Sequence, residues 1–549
     1  MTDEAAAPKT RPDFSWDALK DHTIDGHPSG AKTLQDYWHL DPKTGQSLDD
    51  ATLKNRGLIA SIGGVLWHIV HQPLAASWKS KPDSSKWGAL AGEITLRLAA
   101  ADSAMIAGCV LLDGAVLQSG SLRPGDTGAD AVRCVSLKDA LFLGKADFTG
   151  WHFGDGTHFA RAEFPGDVSF AGAQFHGKVD FSDVRFAGRA NFGRARFHRG
   201  ASFDRAQFHA WNFFEDAHFL QDVSFEDALF HEYALFKTAT FKKQARFRYA
   251  TFNKKADFHR ARFLGPASFE RAEFFGVAAF LEARFAKQFS FKRAMFKHLC
   301  EFYALEVTGR HERHWRSAFD GAEISGLFNL AKGPFRIISA FSGAIVSGWM
   351  CYPIADEGTD VKAFRSEALN LAKAAGMDSQ EALSALEGGA RVLKRAMAQQ
   401  ADSLREHQFY RFEIEARRHI AATPVTEKLV SWVYSHVAEY GRRVGKPLVC
   451  LVIWFGVFAA LYWLAACWMV PTPGLQARTS MALEASALGI VRPFFVWDPR
   501  WLEASAWRSG FEWPWALLLL QIVSTVQSLT SIGLIFLSAL AVRRRFQIS

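Results

Sequence analysis

Tyrosine is scarce in this chain, with 9 Tyr set against 48 Phe. Aromatic residues in a wet or catalytic role usually include Tyr, whose hydroxyl serves a polar end. Phe in such excess points to dry, repeated packing. Cysteine is also sparse: Cys109, Cys134, Cys300, Cys351, Cys450 and Cys467 contain no CxxC pair. That spacing argues against a disulfide framework or a zinc ribbon. The first residues, MTDEAAAPKTRPDF, lack a basic-then-apolar segment, so the first long section is expected to stay in the cytoplasm. A P-loop GKS/T, a GxSxG elbow and HExxH are missing too. No catalytic residue, cofactor or metal site is therefore expected, and the chain reads as a non-enzyme.

What is present is length, mild basicity and a repeat. The chain has 549 residues, too many for one ordinary core. Its formal charge of +8 suits an anionic membrane surface at least as well as nucleic acid. From Phe142 the phenylalanines fall at 148, 153, 159, 164, 170 and 175, and alternating steps of six and five continue to Phe302. The residue two before each Phe is nearly always Ala or Val, as at Ala162, Val168, Ala173, Val179 and Ala190. On an α-helix these steps rotate by about 500° and 600°, putting successive Phe on opposite sides. On a continuous strand a step of five flips the face. A chain that turns a corner between consecutive Phe places all of them on one axis, and that is a solenoid.

These residues resemble the pentapeptide-repeat family, in its Phe-type form with alternating five- and six-residue faces. The resemblance implies a right-handed quadrilateral β-helix, with a large apolar residue at the centre of each face and a small one two positions before. Four faces take about 22 residues and a coil rises by about 4.8 Å. The fold class expected is thus a mainly β solenoid followed by a helical collar and a two-helix transmembrane hairpin.

The phase extends upstream through Ile106, Leu112 and Leu117, and downstream through Phe319, Ile324, Leu330, Phe335, Phe341 and Val346. Interruptions fall at roughly 118–132 and at Thr308–Arg316. The β-helix is expected over 95–350, with residues 1–94 holding a cap over its open end. The second interruption contains His311, Glu312 and His314, which read as an exposed loop because no third strong ligand is near.

Lys242, Lys243, Arg246, Arg248, Lys254, Lys255, Arg260 and Arg262 stand against the single acid Asp257. Repetition converts such runs into stripes on one or two faces. The stripe either keeps the rod soluble or meets anionic lipid or an acidic protein partner, with nucleic acid the least favoured partner. Some soluble members of the family are acidic DNA mimics; this chain lacks that acidic surface.

After Pro353 the composition shifts to Ala, Glu, Leu, Lys and Arg. A helical collar is expected over 355–445, with a break at Gly388–Gly389. Glu413, Glu415, Arg417 and Arg418 read as intrahelical pairs, Glu413 with Arg417 among them. Leu429, Trp432, Val433, Val437 and Tyr440 suggest an amphipathic helix at a membrane interface.

Residues 446–549 are expected to form a hairpin of two spans, 447–470 and 514–542. Arg442, Arg443 and Lys446 precede the first, and Arg543, Arg544 and Arg545 follow the second. The positive-inside bias puts both ends in the cytoplasm of a bacterial inner membrane, with Trp468, Trp513 and Trp515 at the opposite interface. Met481–Phe495, within the loop, is apolar enough to fold back as a short helix. Gln521, Ser524, Ser528, Ser531 and Ser538 form a polar stripe on the second span. The stripe serves close helix packing or lines a pore built by several subunits. The ending SIGLIFLSALAVRRRF resembles the last helix of bacterial proteins that fuse these repeats to a two-helix, ion-channel-like module. No TVGYG filter is present, so potassium selectivity has no support. The leading expectation is a membrane-anchored scaffold that binds the bilayer and a protein partner; the alternative is a homo-oligomeric channel.

Overall fold

The structure, a computed structural model, describes residues 47–56, 59–62, 65–68, 109–111, 116–117, 134–142, 144–302, 306–307, 318–330, 335–351, 366, 378–438, 440, 445–469, 474–491 and 514–546. The 118–132 insertion and the loop with His311, Glu312 and His314 lie outside these residues, as does most of the expected N-terminal cap. Of that cap the described parts are helix α1 (Asp50–Asn55), whose N-cap Asp49 accepts the Thr52 amide at 2.8 Å, and a hairpin pairing Ile59–Ile62 with Val65–His68. The chain divides into two compact units, Met1–Gln400 and Ala401–Ser549.

The first unit is a quadrilateral β-solenoid of about nine turns. Each side is a ladder of two-residue parallel strands. Among the described residues side 1 has 11 strands, ending with Ile345–Val346, and side 2 has 10, ending with Met350–Cys351. Among the same residues side 3 has 8, from His152–Phe153 to Glu306–Val307, and side 4 has 6, from Val179–Asp180 to Phe289–Ser290. The register is the sequence period: Val168 pairs with Ala190, and Ala190 with Asn212, 22 residues apart. Side 1 runs across both interruptions, and side 2 continues past the second. Val116 pairs with Leu141 and Met295 with Glu323, 25 and 28 residues apart instead of 22.

Phe packs inside as four stacked columns. Phe175 lies on Phe197 with ring centroids 4.7 Å apart and planes 3° apart, a spacing that matches the strand repeat. The columns of sides 2 and 4 meet edge to face across the axis, as Phe192 does with Phe203 at 5.4 Å and 89°. This arrangement favours the ring quadrupoles in both directions. The Ala or Val two before each Phe is buried beside it and leaves room for the rings.

Corners come in two kinds. After every side-2 and side-4 Phe in the regular coils, the chain makes a four-residue turn, in which Ala162 donates its amide to the Phe159 carbonyl at 3.0 Å. The third residue of such a turn needs positive φ. Gly150 and Gly172 meet that need without strain, but Asp139, Arg161, Asp183, Arg205, Tyr249 and Arg293 adopt φ of 55–58° as well. Their amides are held by the next coil, as Arg161 is by the Ser182 carbonyl at 2.8 Å.

One inward slot breaks the pattern. Asn212 occupies a small-residue position with no exposed surface. Its Nδ2 donates to the Ala210 carbonyl at 2.7 Å, while Oδ1 is buried without a partner. Asn212→Ala is therefore expected to stabilise the solenoid by about 1 kcal/mol, because an unmet buried acceptor is removed. A urea melt followed by far-UV circular dichroism checks this, and a lowered midpoint would count against it.

Helix α2 (Ser379–Gln399) covers the last coil. It runs unbroken through Gly388–Gly389, where the sequence suggested an interruption. The glycines serve close approach instead. A Cβ on Gly389 would lie 1.9 Å from the Ile338 carbonyl oxygen, and one on Gly388 2.6 Å from Ser342 Oγ. The helix ends at Gln400, followed by Ala401 at φ 56°.

The second unit contains helices α3 (Ser403–His419), α4 (Val425–Ala438), α5 (Gly445–Met469), α6 (Leu475–Val491) and α7 (Pro514–Phe546). Among the described residues two helices are long and apolar enough to cross a membrane, over Gly445–Trp468 and Leu518–Arg543. Between them α6 folds back, as the apolar Met481 region suggested. Ala482 and Ala485 pack against Phe458, Tyr462 and Ala466 of α5 and Leu520 of α7.

Candidate interaction surfaces

Three surfaces carry chemistry outward or between helices, and each follows from how the repeat places side chains. On the solenoid, residues 22 apart stand above one another, so unlike charges can bond between coils. Arg161 bonds Asp139 at 2.6 Å, Arg205 bonds Asp183 at 2.8 Å, and Arg189 bonds Asp167 at 2.8 Å. The Arg189 hydrogen bonds hold the Asp167 carboxyl below its ordinary range. Such exposed pairs each contribute about 0–1 kcal/mol.

The eight sequence-selected basic residues do not collect on one side. Arg262 lies on a side-3 strand and Lys242 just follows that side; Lys243 occupies the corner to side 4 and Arg246 a side-4 strand. Arg248, Lys254, Lys255 and Arg260 are distributed over the remaining corners and the edge of side 2. Half of them are neutralised. Arg246 pairs with Glu226 at 3.5 Å, Arg248 with Glu270 at 3.8 Å, Lys255 with Asp257 at 2.9 Å and Arg260 with Glu282 at 2.7 Å. Lys242, Lys243, Lys254 and Arg262 are exposed and form no salt bridge with a described residue.

Histidines add a second set that the sequence reading passed over. His176 stacks on His198 at 4.7 Å and His209 on His231 at 4.5 Å. His209 titrates below its ordinary value, because of desolvation first and then the charge on His231 and Arg185. His198 and His218 are lowered as well, by desolvation and then chiefly by His176 and Arg196 respectively. The sign follows directly. A folded chain that resists protonation binds fewer protons than the unfolded chain, so stability falls as pH drops from about 6.5 through the lowered values. The solenoid is expected to melt earlier at pH 5.5 than at pH 7.5, and His209→Gln should flatten that slope. An unchanged midpoint between the two pH values would contradict the assignment.

In the second unit the polar stripe faces other helices of the same chain. Ser524, Ser528, Ser531 and Ser538 are buried, whereas Gln521 is exposed. Gln527, which the heptad steps skip, is the central polar side chain. Its Nε2 donates to the Ser486 carbonyl at 2.9 Å and contacts Ser486 Oγ at 3.0 Å, while Ser486 Oγ donates to the Phe455 carbonyl at 2.9 Å. These bonds join α5, α6 and α7. Trp454 Nε1 adds a bond to Thr530 Oγ1 at 2.6 Å.

α3 and α4 are tied by a buried charge. Glu415 accepts from Arg418 at 3.0 Å and from the Tyr440 hydroxyl at 2.8 Å, and Arg418 also donates to Ser435 Oγ at 3.0 Å. Burial, then the Glu415 charge, pushes the Tyr440 hydroxyl up to about 12. Arg417 reaches Glu427 at 3.2 Å, across to α4. α4 itself buries Tyr434 and exposes Val425, Leu429, Val430 and Trp432.

Among the described residues no group of three or more His, Cys, Asp or Glu is arranged to hold a metal ion. No curated protein and no solved structure matches the chain. A family model described as pentapeptide repeats matches in 9 copies, among them residues 137–184, 159–207, 170–217 and 247–295. The solenoid of this chain is built from pentapeptide repeats.

Proposed function

We propose that the chain is a membrane-anchored, non-catalytic interaction protein that displays its β-solenoid at the cytoplasmic face of a bilayer and binds a partner there. The observation that carries this reading is the outward apolar surface of two long helices in a chain that also holds a dry-cored rod. Only 11% and 28% of their most apolar windows are buried, unlike the core helices of a water-soluble domain. The exposed apolar side of α4, with Trp432, fits the interfacial layer beside such spans. Arg442 and Arg443 before α5, and Arg543, Arg544 and Arg545 at the end of α7, favour cytoplasmic ends for both. The burial of Ser524, Ser528 and Ser531 within one chain supports helix packing as the role of the polar stripe.

A second reading, an oligomeric two-transmembrane pore, draws on the fold-back helix α6 between the two spans. The readings separate in a planar bilayer. The purified full chain is expected to give no unit currents. Reproducible currents that Ser528→Leu abolishes would overturn the scaffold reading in favour of the pore.

A further inference from the structure

Side 3 of the solenoid and its corner to side 4 gather cations from coils that are far apart in sequence. Register places Arg196 and Arg262 in one row, through His218 and Thr240. Lys242 follows the side-3 strand Thr240–Phe241, as His198 follows Arg196–Phe197. The adjoining corner carries Lys178, Arg199, Lys243 and Lys287. The seven Lys and Arg residues among these are exposed, and none of the seven forms a salt bridge with a described residue. The acids described in the same rows are Asp155, Asp222 and, at the last rung, Glu306. Elsewhere on the rod, cations are interleaved with acids; some are matched one coil away, as at Arg161, Arg189, Arg205 and Arg260, while others, Arg185, Arg194, Lys254 and Lys292 among them, are exposed without a salt bridge to a described residue. Side 3 and its corner hold seven such cations against those three acids, and from Lys178 to Lys287 they extend over roughly 24 Å at one strand spacing per coil.

We infer that side 3 with its side-4 corner is a docking face for an anionic lipid bilayer surface. The face is flat, because it is built from short parallel strands with no inserted loop among residues 174–287. It has no helix or ribbon to enter a duplex groove. Its outward rows between those residues carry no exposed aromatic ring to stack on bases. Exposed Leu264 beside Lys243 and Arg262 suits the headgroup layer, where basic and apolar side chains act together. The inference rests on the membrane reading above and names what the solenoid itself touches.

The test uses the full chain in nanodiscs of phosphatidylcholine alone or with about 30% phosphatidylglycerol, a charge density at which basic residues bind measurably. Amine acetylation is followed residue by residue by mass spectrometry. Co-elution with discs tests the membrane spans, independently of the docking face. Labelling of Lys178, Lys242, Lys243 and Lys287 is expected to fall about fivefold in the anionic discs and to recover when salt reaches about 0.5 M. Lys292 and Lys297, on other corners, should change less than about twofold. Lys242→Glu with Lys243→Glu should restore labelling at Lys178 and Lys287, with the circular dichroism of the rod unchanged. Equal labelling in both discs overturns the inference, and so does protection produced by a DNA duplex but not by anionic lipid.

Discussion

Phe225→Ala is expected to cost the solenoid about 3–5 kcal/mol. Phe225 has no exposed surface. It stacks on Phe203 at 4.7 Å and Phe247 at 4.9 Å, and meets Phe214 and Phe236 edge to face at 5.5 Å. Truncation removes these and two longer ring contacts, to Phe219 and Phe230, and opens a void that rigid neighbouring coils cannot fill. Because each coil touches only the coils beside it, the damage is local in origin but divides the rod. Hydrogen exchange should show protection lost first around residues 203–247, where Phe203 donates to the Ser224 carbonyl and Phe225 to that of Arg246, both at 2.7 Å. A destabilisation below about 1 kcal/mol would mean that the ladder packs more loosely than these distances imply.

Arg418→Leu is the second large effect, and it falls in the helical unit. Glu415 is 2% exposed. With Arg418 gone, its carboxylate keeps the Tyr440 hydroxyl and a 3.5 Å contact with His419, but loses the cation at 3.0 Å. Leaving such a charge unmatched costs about 3–5 kcal/mol, whereas replacing both partners is far milder. The double variant Arg418→Leu, Glu415→Leu should therefore recover most of the loss. The readout is the thermal midpoint of the detergent-solubilised chain. If the single and double variants melt alike, the buried pair does not hold α3 to α4.

Much of the fold is legible because the repeat leaves one reading open. Steps of five and six fit neither helix nor strand, and the 22-residue register then follows from four corners. The positive-φ rows are not legible, since Asp, Arg, Thr and Tyr occupy them as readily as Gly. Gly388–Gly389 misleads for a related reason. A helix tolerates glycine when a neighbouring backbone needs the space, and Ile338 is in another part of the chain. Surface charge is where linear reading misses most. A run from Lys242 to Arg262 passes around all four sides, so neighbours in sequence part company in space. The side-3 row becomes visible only on steps of 22, from Arg196 to Arg262 by way of His218 and Thr240. Gln527 is not legible in the stripe because heptad steps from Ser524 land on Ser531, while the α5–α6–α7 contact takes in the residues between.

These features bear on one claim, that the second unit is an anchor whose polar residues are used within a single chain. Ser528 and Ser531 are buried at 1% and 0% exposure, and Gln527 reaches Ser486 in the same molecule. A pore lined by this stripe would need several copies around an axis. The mass of the detergent-solubilised protein, corrected for bound detergent by light scattering, decides between them. An anchor predicts the 61.1 kDa of one chain. A stable ring of four or more copies would contradict the account.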